Sequence, residues 1–199
     1  GRGANRWWTG GGSIAFSLLI DPAHMRIERR HLAMIALAAA VSIVDTVRPL
    51  VESFVNQGER VGIHWPNDVF VGARKLAGIL VEVLPDGRQI VGIGLNANNS
   101  VATAPVELAV IVTTLADLTG GQHDRTAVLV ELLQQFHPAL ELLAKDPAAI
   151  GSRSDQLCLQ HGQPPTISWA CRQATGNPPG IAPPAPLPPA TPPRPTTAS

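Results

Sequence analysis

Net charge is absent from this sequence: 15 Lys and Arg residues balance 15 Asp and Glu over 199 residues. A balanced chain offers no electrostatic footprint for nucleic acid or for an anionic membrane surface. Cysteine is scarce. Cys158 and Cys171 are too few and too oddly spaced for a metal site or a disulfide framework, so a reducing cytoplasm is the default expectation. No long hydrophobic run is evident either. The longest apolar stretch, Leu32 to Val44, is interrupted by Ser42 and closed by Asp45, and a membrane span needs about 18–20 uncharged residues. The amino terminus has no signal-peptide layout. What remains is a chain that is 45% hydrophobic, enough for one well-packed domain and a small appendage.

Residues 61–96 carry the densest pattern, VGIHWPNDVFVGARKLAGILVEVLPDGRQIVGIGLN. The residue before a proline is pushed out of the helical region, so IHWP reads as extended. Val69 to Val71 continues a β-prone run, Gly72-Ala73-Arg74 can turn the chain, and Lys75 to Leu84 forms a strand. Pro85-Asp86-Gly87 is a strong turn signal before a return strand over Gln89 to Leu95. Period-two alternation predicts Lys75, Ala77, Ile79, Val81 and Val83 on one face of the middle strand, and Leu76, Gly78, Leu80, Glu82 and Leu84 on the other. Both sets are largely apolar, which predicts cover on both sides. From spacing alone, Lys75 either snorkels to water or meets an anionic ligand at the margin of the core. Gly78, Gly92 and Gly94 interrupt adjacent strands. They mark either close packing of a helix or a flat floor where a ligand approaches backbone.

The combination WPNDVFVGARKLAGILVE with IVGIGLNAN, preceded by GRGANRWW, resembles the central signature of the biotin protein ligases, which attach biotin to carrier domains of biotin-dependent carboxylases. The resemblance runs from Gly1 to about residue 145. It implies an α+β fold with a mixed, mostly antiparallel sheet and helices on one face. It also implies a two-step reaction, in which ATP and biotin give biotinyl-5′-adenylate and a carrier lysine then takes the biotinyl group. Lys75, Arg2, Arg6 and Asp68 would be the catalytic residues. Gly1, Arg2, Lys75, Gly78, Leu80, Gly92 and Gly94 would form the biotin site. Trp7, Trp8, Asn67, Leu95 and Asn96 would hold ATP or the adenylate, with either tryptophan as the stacking plane. No metal ligand is assigned; Mg2+ would arrive on the ATP phosphates. The implied partner is a biotin carboxyl carrier domain, with homodimerisation compatible and neither nucleic acid nor membrane expected.

Taken without the resemblance, Gly1 to Gly12 is a glycine-rich loop with two arginines and adjacent tryptophans. Two guanidinium groups suit phosphate or acyl-phosphate oxygens, and a tryptophan pair suits a purine; the alternative is a basic loop whose tryptophans pack on the sheet. Ser13 to Ile20 reads as a strand. Residues 26–56 read as the longest helix, with an alanine-rich stripe, ended at Gly58. His64 stands where the family commonly has a lysine, and an imidazole there would be a weaker, pH-dependent cation. Pro105 predicts a helix to about Leu118. Asp124 predicts the cap of another, with Leu129, Leu132, Leu133, Phe136, Leu140 and Leu143 as its buried stripe.

The expected organisation is a catalytic domain over residues 1–150, N-terminally incomplete because the family's first strands and helix would precede Gly1. A remnant of a small SH3-like domain is expected over 151–177, and an extended or disordered tail over 178–199, where ten of 22 residues are proline. Two other functions compete: a lipoate or octanoate ligase sharing the fold, and a catalytically impaired remnant that only binds a ligand or a partner.

Overall fold

Strand and helix propensities sort along the chain into one antiparallel sheet with its helices gathered on a single side. The computed structural model describes residues 11–161 and the backbone of two further strands, Thr166–Trp169 and Arg172–Thr175. The sheet contains β1 (Ile14–Ile20), β2 (Val61–His64), β3 (Asp68–Val71), β4 (Arg74–Val83) and β5 (Gln89–Leu95). Their spatial order is β1-β5-β4-β3-β2, with every neighbouring pair antiparallel. The helices are α1 (Ile35–Val51), α2 (Val106–Ala109), α3 (Leu115–Thr119), α4 (Arg125–Lys145) and α5 (Pro147–Leu157). The strands Thr166–Trp169 and Arg172–Thr175, β6 and β7, pair only with each other. The proline-rich segment expected to be extended or disordered, residues 178–199, lies outside the described residues.

Alternation explains which side of the sheet is covered. Ile14, Val91, Ile93, Leu95, Ala77, Ile79, Val69, Val71, Val61 and Ile63 all point to one face and are buried. Against them lies α1, whose Ala38, Ala39 and Ala40 are fully buried and let its backbone approach the strands. Behind α1 pack α4 and α5. Each large aliphatic side chain sealed in this layer contributes about 1.5–3 kcal/mol of transfer free energy. On the other face, Ala15, Ser17 and Leu19 of β1 are exposed. Along β4 itself the expected cover on both sides holds only near its start: Leu76 and Gly78 are buried, Leu80 is half-buried and Glu82 is exposed.

Three other expectations need correction. Residues 26–56 do not form one helix: a 3-10 turn over Arg29–Met34 precedes α1, which ends at Val51 soon after Pro49, and α4 is the longest helix. The stretch Arg29–Val51 is long and apolar enough by composition to cross a bilayer, but 72% of its most apolar 18-residue window is buried inside the domain, so its apolarity serves the core. The helix expected from Pro105 to Leu118 is split into α2 and α3: the Ile111 and Val112 N–H groups still close on the Leu108 carbonyl, but the Ile111 carbonyl and the Thr113 N–H bond to the backbone of Lys75 and so cannot continue a helix.

On α4 the buried stripe is Val128, Leu132, Phe136, Leu140 and Leu143; Leu129 is only partly buried and Leu133 is exposed. Asp124 caps this helix as expected, its carboxylate accepting from the N–H groups of Thr126 (2.8 Å) and Ala127 (3.1 Å). Replacing it leaves two of the helix's first amide donors to water. Asp124→Ala should therefore lower stability by about 1 kcal/mol in urea unfolding; a variant within 0.3 kcal/mol of the parent (roughly the error of such a difference) would show the cap to be dispensable. At the β4–β5 turn, hydrogen bonds from the Arg88 side chain and backbone hold the Asp86 carboxyl below its ordinary pKa.

Candidate functional site

The open face of the sheet is paved with residues that have little or no side chain. Cross-strand partners in an antiparallel sheet point the same way, so the register defines rows across the face. One row runs His64, Asp68, Gly78, Gly94, Ala15, and the next runs Leu80, Gly92, Ser17. The three glycines thus form a contiguous shallow floor, with Leu80 beside it.

Lys75 reaches this floor because β4 is bulged. Val69 pairs with Ala77 but Phe70 pairs with Lys75, leaving one extra residue in β4 at Leu76. Strict alternation would place Lys75 opposite to Gly78. The bulge inverts its parity and brings it onto the same face as Gly78 and Asp68. The Lys75 Nζ lies 2.7 Å from Asp68 Oδ1, and both side chains keep partial contact with solvent. A Cβ placed on Gly78 would stand 3.1 Å from Asp68 Oδ1 and from both Lys75 Cε and Nζ. The ion pair therefore lies directly over Gly78, at the end of the glycine floor.

The backbone of Lys75 is held from outside the sheet. Its N–H donates to the Ile111 carbonyl and its carbonyl accepts from the Thr113 N–H, each at 2.9 Å. Thr114 then caps α3 by accepting from the Asp117 N–H at 2.9 Å. The sequence places this segment in mid-helix, and only the polar Thr113-Thr114 pair within an apolar run points elsewhere.

At the other corner, Asn96 follows β5 and donates its N–H to the Leu76 carbonyl at 3.0 Å. Its side-chain carbonyl accepts from Asn99 Nδ2 at 3.2 Å. Gly12 crosses here with φ of 105°, and a Cβ on it would lie 2.6 Å from the Asn98 carbonyl carbon, so only glycine lets the incoming chain pass this close. The Gly12 carbonyl accepts from the Asn98 N–H at 3.0 Å. Sequence reading named Asn96 but missed Asn99, whose partner is not deducible from spacing.

Of the sequence-named residues, Lys75, Asp68, Gly78, Leu80, Gly92, Gly94 and Asn96 meet on or beside one face. Leu95 does not, since its side chain is fully buried on the helix side of the sheet; a nucleotide contact through that side chain is unavailable. Asn67 spends its Nδ2 on the Ile79 carbonyl at 2.7 Å, and its own carbonyl accepts from the Ile79 N–H at 2.9 Å, so it clamps the β2–β3 turn to β4. His64 stacks on Phe70 with ring centroids 4.6 Å apart, next to Asp68. Gly1, Arg2, Arg6, Trp7 and Trp8 lie outside the described residues.

An ion pair hung over a glycine floor is a platform for a flat ligand with an anionic end. Residues 1–98 match the biotin/lipoate A/B protein ligase family. This stretch, about half of the chain, is a domain of that family. The chain is similar to the bifunctional ligase/repressor BirA of Bacillus spizizenii, 32% identical over 130 residues, which are 63% of this chain and 37% of that protein. It is similar to the biotin–[acetyl-CoA-carboxylase] ligase of Mycobacterium tuberculosis, 33% identical over 137 residues, covering 68% of this chain and 48% of that one. Among solved structures, the biotin protein ligase of Aquifex aeolicus in complex with biotin and ATP superposes with a TM-score of 0.73 at 26% identity, over 87% of this chain and 69% of that one. The chain thus spans less than half the length of both curated relatives. The expected α+β architecture, an antiparallel sheet with helices on one face, agrees with this likeness.

Proposed function

We propose that the chain carries the catalytic centre of an ATP-dependent biotin ligase. In the first step a biotin carboxylate oxygen attacks the α-phosphorus of ATP, forming the mixed anhydride and releasing pyrophosphate. In the second, the ε-amine of a carrier-domain lysine attacks the acyl carbon; the C–O bond breaks, AMP leaves and an amide forms. The single observation that carries this reading is Lys75, whose bulged backbone turns its amine onto the glycine floor beside Asp68.

The chemistry asks this protein for few groups. Negative charge grows on carboxylate and phosphate oxygens as each step proceeds, and a fixed cation in a partly desolvated corner lowers that cost. The Lys75 ammonium can supply it, held in place by the Asp68 carboxylate and by backbone bonds to Ile111 and Thr113. Gly78, Gly92 and Gly94 would let the biotin rings lie against backbone, with Leu80 as an apolar wall. Asn96 would address the adenine, and Arg2, Arg6 and one of Trp7 or Trp8, from the segment that precedes Gly12 in sequence, would complete the site.

Magnesium would neutralise phosphate charge. The described donor set at the floor is one carboxylate, Asp68, already paired with Lys75, so phosphate oxygens and water would complete the metal's octahedron, as is usual for this ion. A carrier domain of a biotin-dependent carboxylase is the proposed acceptor. Incubating the protein with ATP, magnesium, biotin and such a carrier should give a biotinylated lysine detectable by mass. Equal or faster transfer of lipoate in competition would reassign the substrate, and ligand binding without any acyl transfer would leave a binding protein only.

A further inference from the structure

We propose that Asn99 is a positioning residue that fixes which end of the Asn96 amide faces the nucleotide. It rests on the reading of Asn96 as the adenine contact. Asn99 is 2% exposed, and its Nδ2 donates to Asn96 Oδ1 at 3.2 Å. Its own Oδ1 is buried with no hydrogen-bond partner among the described residues. That orphan oxygen settles the direction of the bond. Turning the Asn99 amide over would bury an NH2 group, with two protons to satisfy, where no acceptor stands among the described residues. A bare carbonyl is the smaller penalty.

With one lone pair of its carbonyl held by Asn99, the Asn96 amide is kept from turning over, and the end it turns to a ligand is its NH2 group. An NH2 group must be met by an acceptor. On adenine the acceptors are the ring nitrogens. Asn99 therefore makes Asn96 a reader of a ring nitrogen. The backbone supports this arrangement from the far side, where Gly12 packs on the Asn98–Asn99 peptide and Asn98 exchanges hydrogen bonds with His123, Nδ2 to its carbonyl at 2.7 Å and Oδ1 from its N–H at 2.8 Å.

The test is ATP affinity by calorimetry in the whole chain, with biotin affinity and melting temperature measured alongside. Asn99→Asp replaces the donor with an acceptor, so Asn96 must turn its NH2 inward and present oxygen to the ring nitrogen. ATP binding should weaken about 10- to 100-fold, the loss typical when a polar contact is inverted, with biotin affinity unchanged. Asn99→Ala only releases the amide and should cost less, about three- to tenfold by the same reasoning; it decides the matter if the aspartate variant does not fold. In an Asn96→Ala background neither change should weaken ATP further. Equal losses for ATP and biotin, or the same ATP loss without Asn96, or no ATP loss in a folded Asn99→Ala protein, would overturn the proposal. Wild-type protein that binds ATP but never biotinylates a carrier would defeat the ligase reading and leave this one standing, while wild type that binds no nucleotide would defeat this one.

Discussion

Lys75→Ala should slow adenylate formation about 10²–10³-fold, the usual loss when one preorganised donor to a developing oxyanion is removed, while leaving the protein folded. The two halves of that expectation have different causes. Lys75 and Asp68 retain side-chain exposures of 39% and 25%, and a pair so open to solvent contributes about 0–1 kcal/mol to stability. Its removal should therefore shift the unfolding midpoint little. The rate is another matter, because the ammonium is fixed at a distinct place by a bulge and by bonds to residues 111 and 113. Water can replace its charge only with reorganisation. ATP–pyrophosphate exchange in the presence of biotin reads the step directly. Lys75→Arg should recover only part of the rate, since a planar fork cannot occupy the point position of an ammonium over Gly78. Wild-type exchange by a folded Lys75→Ala protein would remove Lys75 from the chemistry.

The bulge also shows where sequence reading stops. Strands β1, β4 and β5, the Pro85-Asp86-Gly87 turn and the Asp124 cap follow from local chemistry: alternation, turn residues and an Asx oxygen placed before a helix. They were legible because each is decided by neighbours in sequence. The facing of Lys75 was not. Strict alternation assigns it to the side of Ala77, and only the pairing of Phe70 with Lys75 and of Val69 with Ala77 reverses that assignment. No run of residues announces which strand will absorb an extra position. The single helix expected over residues 105–118 gives way to two for the same kind of reason, since Lys75 lies some 36 positions away in sequence from Ile111 yet captures its carbonyl. The glycines were legible as interruptions, while their alignment into adjoining rows required the register. Leu95, named for the nucleotide site through the resemblance, has its side chain in the core by alternation.

Gly92→Ala and Gly78→Ala should separate ligand contact from ion-pair placement. A Cβ on Gly92 would meet the Leu80 carbonyl and Ser17 Oγ at 3.6 Å and Leu80 Cβ at 3.9 Å, ordinary contacts all. The free protein has room for that methyl, and alanine in a strand is favoured over glycine by about 0.5–1 kcal/mol, so the melting temperature should hold or rise. A ring system lying on the floor has no such room. It must lift by about the radius of a methyl group, and overpacking of that size costs about 1–3 kcal/mol, which is a biotin affinity about five- to 150-fold weaker. Adenylation at saturating biotin should be close to normal, because Lys75 does not touch Gly92.

At Gly78 the same methyl meets the ends of Lys75 and Asp68 at 3.1 Å, which is tight. The flexible lysine can yield, but only by carrying its ammonium away from the place where charge develops. The expected signature is therefore a lowered kcat that excess biotin does not restore. Parallel titrations of the two variants with biotin, read by pyrophosphate exchange, distinguish the cases. If Gly92→Ala leaves biotin affinity intact while the protein turns over, the ring system does not rest on these strands and the floor must serve packing against some other group.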